Sequence, residues 1–178
     1  SLAWWDRRDD ASPHGALLAS AGEDDTLRIL DISDLQIDVD EAVPATALPH
    51  EIDASPFVGH GTGFQSIAFN VDGTSVLAGN FSYEQGGFVR EYSLESGEST
   101  PLLQGLETPV RTLATTGDGA VTVAGSGRPF GVGRVMVFGD GVDDFEPYHS
   151  SVHPVSSVAV SRDGNLIAWA AADGAVRV

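Results

Sequence analysis

His149-Ser-Ser-Val-His153 is the pair best suited to hold a metal: four residues apart, two imidazoles share one side of a helix or a strand. His153 precedes Pro154, nothing nearby has a helical period and no third ligand follows, so both read as loop histidines. Asp38-Val-Asp40-Glu41 supplies oxygens but lacks the glycine and the terminal bidentate glutamate of a calcium loop. Asp140-Gly-Val-Asp-Asp-Phe-Glu146 reads as a solvated acidic turn. The glycine-rich run Gly125-Ser-Gly-Arg-Pro-Phe-Gly-Val-Gly133 joins strand to strand and has no lysine, so it lacks the strand-to-helix context that gives phosphate loops their anion affinity. Gly97-Glu-Ser99 is not a nucleophile elbow, because Pro101 stands where the second glycine belongs. With no cysteine, and arginine for every basic residue, thiolate and Schiff-base chemistry are excluded. No catalytic residue, metal site or cofactor is expected.

The charge balance removes further classes. The 26 acidic residues against 9 basic ones leave a net charge of −17, the wrong sign for nucleic-acid phosphates or an anionic membrane surface. No apolar run approaches the roughly 18 residues of a membrane span, and no signal peptide opens the chain, so cytoplasmic residence is the default expectation. Absent lysine with abundant Asp, Ala and Gly points to a halophile or a high-GC genome. The only methionine is Met136, and the last strand phrase is cut at Val178, so the chain reads as a fragment of a longer protein.

What must position these residues is a repeat. Ser1-Leu-Ala-Trp4, Ser66-Ile-Ala-Phe69, Thr112-Leu-Ala-Thr115 and Ser157-Val-Ala-Val160 are one phrase written four times. Ala68, Ala114 and Ala159 lie 46 and 45 positions apart, near the roughly 40–45 residues of a four-stranded propeller blade. Asp72-Gly73, Asp118-Gly119 and Asp163-Gly164 follow at a fixed offset and predict type I′ hairpins between strands a and b. Strand c is read at 26–31, 88–92, 134–138 and 175–178, and strand d at 46–48, 99–103 and 145–148. Of the tryptophans, Trp4 and Trp169 are expected in the core and Trp5 nearer a blade edge. The pattern predicts an all-β propeller with nearly four blades, at about 1–58, 59–104, 105–150 and 151–178, the last incomplete.

Leu18-Ala-Ser-Ala-Gly-Glu-Asp-Asp-Thr-Leu-Arg-Ile-Leu-Asp31 closely resembles the strand b–turn–strand c core of a WD-repeat β-propeller. That family closes strand c with Trp-Asp, where this chain has Leu30-Asp31, Tyr92-Ser93 and Phe138-Gly139. Gly59-His60 occupies the family's Gly-His position ahead of Ala68. The resemblance implies a buried blade network drawn from Ser20, Asp24, His60, Tyr92 and Asp173, complete in no single blade, and a ring of about seven blades completed by further blades of the same chain.

It also implies a non-catalytic scaffold or sensor that binds protein partners. Loops b–c and d–a emerge on one face of a propeller, so 80–87 and 126–133 should be neighbours there. They offer Phe81, Tyr83, Arg128 and Phe130, the aromatic and arginine types enriched at binding hot spots. The acidic segment Ile32–Phe57 suits a partner with a basic surface. The rival reading is a propeller enzyme, a metal-dependent lactonase-like hydrolase or a quinoprotein-like dehydrogenase. It would need ligands at the strand a starts, where Ser1, Ser66, Thr112 and Ser157 stand.

Overall fold

A strand that alternates small and large residues has two unlike faces, because successive side chains point to opposite sides. A computed structural model describes residues 1–6, 16–22, 26–32, 50–52, 63–82, 86–139 and 148–178, which contain strands and no helix. The first sheet is β1 (Leu2–Asp6), β2 (Ala16–Ala21), β3 (Leu27–Asp31) and β4 (His50–Ile52). The second is β5 (Ser66–Phe69), β6 (Ser75–Ser82), β7 (Gly86–Ser93) and β8 (Ser99–Leu106). The third is β9 (Val110–Thr115), β10 (Val121–Gly127), β11 (Gly133–Gly139) and β12 (His149–Ser151). The fourth has three strands, β13 (Val155–Val160), β14 (Ile167–Ala171) and β15 (Val176–Arg177). Every pairing is antiparallel between strands adjacent in the chain, and each sheet meets the next through its first strand. These are the blades of a β-propeller.

The repeated phrase dictates how the blades stack. In β5, Ile67 and Phe69 face the first sheet and pack with its Trp5, Leu17 and Ile29. Ser66 and Gly79 face the third sheet, where a Cβ on Gly79 would come 2.6 Å from Val110. Val158 likewise packs back on Val123 and Val135 of the third sheet, while Ser157 and Ala159 are exposed on the far side of the fourth. At the opposite end of the array Ala3 packs inward, whereas Leu2 and Trp4 are 72% and 58% exposed.

The tryptophans correct the sequence expectation. Trp5, not Trp4, is buried: its indole lies against Gly73 in the turn of the next blade, and Nε1–H donates to Val71 O at 3.0 Å. Adjacent strand residues must face opposite ways, and Trp4 takes the side of the first sheet that no described sheet covers. Trp169 is buried as expected. The fourth strands also differ. Residues 46–48 lie outside the described residues and β4 comes later, at His50–Ile52. Strand β12 begins at His149, just past the expected 145–148, and β8 contains the expected 99–103.

The Asp-Gly turns are not type I′. Phe130 is the only non-glycine with positive φ among the described residues, so Asp72, Asp118 and Asp163 do not supply the first left-handed position that such a turn requires. Instead the glycine N–H closes on the carbonyl three residues back, Gly73 on Asn70, Gly119 on Thr116 and Gly164 on Ser161, with the glycine alone left-handed. Each aspartate then accepts from the backbone N–H two residues on, at Thr74, Ala120 and Asn165, the Asx arrangement. Hydroxyls finish the turn: Thr116 and Ser161 each donate to their aspartate at 2.6 Å. These bonds hold the ionised form, and the Ser161 hydroxyl, followed by Asn165, brings Asp163 down from 3.8 to about 2. Because the folded value is depressed, this carboxylate stabilises the turn fully above the unfolded value near 3.8 and loses that contribution as pH falls through about 2. A carboxyl-detected NMR titration should place the Asp163 midpoint near 2, and a midpoint at 3.8 or above would show that the turn does not hold it.

Candidate functional site

Glycines allow the b–c connections to lie close to their neighbours. A Cβ on Gly87 would fall 2.1 Å from Thr108 O, and one on Gly133 would fall 2.5 Å from His153 O. The segments that carry the chain to the next blade therefore press directly against these strand ends. The strands also run further than the sequence indicates. Pairs Phe81↔Gly87, Ser82↔Gly86 and Gly127↔Gly133 extend both ladders, leaving only 83–85 and 128–132 as connections.

The second connection is a tight turn: the Gly131 N–H donates to Arg128 O at 3.0 Å, and Pro129 fixes the first corner. Phe130 takes the next corner with φ 60°, a place that favours glycine or asparagine, and its side chain is fully exposed. Holding an aromatic residue there costs about 1–2 kcal/mol. The Arg128 guanidinium stands 5.0 Å from the centroid of the Phe81 ring, a cation–π contact worth about 0.5–1 kcal/mol at an exposed position. Phe81 is itself only 6% exposed, so it supports Arg128 from below and is not an exposed anchor. Val132, half exposed, extends the apolar tip. Arg134 on β11 is paired with Glu107 at 3.3 Å, whereas no carboxylate among the described residues pairs with Arg128. Arg128 thus meets Phe81, which stands near the end of β6 and not in the 83–85 connection. Tyr83 lies outside the described residues, as do Asp24, His60 and most of the acidic segment Ile32–Phe57.

The remaining network candidates occupy separate places. Tyr92 is fully buried, its ring edge-on to Phe64 at 5.9 Å and 87°. Ser20 stands in register between Leu2 and Arg28 on the uncovered side of the first sheet. Asp173 accepts from the Ala175 N–H at 2.9 Å and pairs with Arg177 at 2.5 Å; the Arg177 hydrogen bond is the main reason its carboxyl sits at about 2. A polar pair missed in the sequence holds the third blade: the buried hydroxyls of Thr108 and Ser126 hydrogen-bond at 3.0 Å. Asn80 occupies the matching rung of the second blade, fully buried, its Oδ1 accepting from the Phe81 N–H at 2.5 Å. Polar residues two places beyond the strand b alanines, after Ala78 and Ala124, were the available clue.

The family model of the WD domain, G-beta repeat, matches residues 9–31 and 146–178. Comparison with curated proteins gives no match. The first match contains β2 and β3 and the second runs from β12 to the end of the chain; the blades between them have the same strand order. Repeats of this kind generally serve as protein-interaction scaffolds and typically carry no catalysis. Two family matches, on blades that repeat one phrase and one packing pattern, support a WD-repeat family for this chain.

Proposed function

We propose that the chain is a non-catalytic interaction module that grips a protein partner through the 128–132 turn, with Phe130 as the apolar anchor and Arg128 as the charged one. The observation that carries this reading is Phe130: a fully exposed phenylalanine with φ 60° costs free energy in the isolated chain and offsets none of it by packing. Backbone strain of this kind concentrates where a surface has a task. The phenylalanine is also a rigid, low-entropy contact, and Arg128 beside it is pre-positioned by Phe81.

Exchanging Phe130 for glycine separates stability from binding. Phe130→Gly removes the steric strain and adds some unfolded-state entropy, so the chain should gain about 0.5–1 kcal/mol. Proteins retained by the immobilised chain, quantified by mass spectrometry, should fall about tenfold with Phe130→Gly and with Arg128→Ala. Retention of the same proteins at the same yield by both variants would refute the assignment.

A further inference from the structure

At the opposite end of the blades, where the a–b turns gather, the second and third sheets part and leave a cleft of about 430 Å³. Its apolar lining is Leu77, Leu102 and Leu103 from the second sheet and Met136 and Phe138 from β11 of the third, with Asn70, Thr115 and Thr122 as polar groups among them. Leu102 and Phe138 remain partly exposed at its mouth, while Leu77, Leu103 and Met136 are buried behind them. Glu91 lines this cleft and also a second hollow of about 950 Å³, whose wall holds Glu95 and Glu98 among serine and threonine hydroxyls. Glu91 thus belongs to both spaces, which differ in chemistry: leucines, Met136 and Phe138 dominate the first, carboxylates and hydroxyls the second.

Among the described residues, no arginine lines either space. Arg90, next to Glu91 in sequence, points to the other face of β7 and is held there by Ser99. The Ser75 hydroxyl donates to Oε1 of Glu91, and no described group bonds its Oε2. Acidic residues that no described arginine offsets, beside a largely apolar cleft, are complementary to one kind of ligand.

We propose that this groove is a second docking site, for an extended segment of a partner protein that carries a large apolar side chain beside Lys or Arg. The apolar side chain sits between Leu102 and Phe138, and the cation faces Glu91, Glu95 and Glu98. A small amine would fill only part of these two neighbouring spaces, whereas a polypeptide can place one residue in each. The net charge of −17 draws a basic segment toward the chain. This site lies at the other end of β10 from Arg128 and does not rest on the reading of the 128–132 turn.

The test is fluorescence anisotropy of the whole chain with a labelled peptide containing Leu-Leu followed by Arg-Arg. Matched peptides replace the leucines by serine or the arginines by glutamate. Binding of the parent peptide should weaken about tenfold in a Glu95→Gln/Glu98→Gln double variant, whose changes lie on an exposed turn. It should weaken several-fold with Leu102→Asn and as salt is raised. The Arg128→Ala variant should bind the peptide unchanged. Failure of the parent peptide to bind, equal binding by the serine peptide, or indifference to the double variant would each overturn the proposal.

Discussion

Trp5→Ala should cost the chain about 3–5 kcal/mol, seen as a lower midpoint in chemical denaturation, whereas its neighbour Trp4→Ala should cost well under about 1 kcal/mol. The difference comes from strand parity. Trp5 is 8% exposed, packs with Leu17, Ile67 and Phe69, and donates its indole N–H to Val71 O at 3.0 Å. Its loss removes a large apolar surface and the side chain that ties the first blade to the second. Trp4 is 58% exposed and buries little surface to lose. Equal losses from the two substitutions would mean that the first blade is packed the other way round.

Gly73→Ala is the second large effect. At φ 70° an alanine costs about 1–2 kcal/mol. Its Cβ would also come 2.6–2.7 Å from three atoms of the Trp5 ring, an overpacking term of about 1–3 kcal/mol. The sum, about 3 kcal/mol, should lower Tm by roughly 6–12 °C in a chain of this length. The two substitutions are predicted to couple. With Trp5 already alanine, Gly73→Ala meets no ring and should cost only the backbone part, about 1–2 kcal/mol. A double-mutant cycle with additive losses would show that the indole and the turn do not touch.

These effects show which parts of the structure the sequence made legible. The Ser–large–Ala–large phrase predicted strand a, its neighbours and the blade order, because a repeated two-faced strand needs repeated partners. The alignment also held the answer to the tryptophan parity. Trp4 occupies the place of Phe69 and Val160, while Trp5 occupies that of Asn70, Thr116 and Ser161, where the turn starts. The turn type was misread because Asp-Gly says only that one residue is free to be left-handed. The hydrogen bonds from Thr116 and Ser161, whose partners are set by backbone already folded, decide the rest.

At the candidate surface the residue types were readable and their roles were not. Arg128 stands over Phe81, and only the structure separates that buried support from the exposed Phe130. The groove beneath the blades left no trace in the sequence. Leu102, Met136 and Glu91 come from different strands of two sheets, and no local spacing relates them.

One consequence of the blade stacking concerns direction. Each blade offers small residues of strand a on one side and large ones on the other, so every junction is a socket filled by a plug. The last socket, Ser157 and Ala159, and the first plug, Leu2 and Trp4, both stand open. Any sheet added at either end, whatever chain supplies it, must therefore arrive in the same sense as those already present. The array has a polarity like that of a filament, and a junction of two sockets or two plugs would leave either a void or a clash.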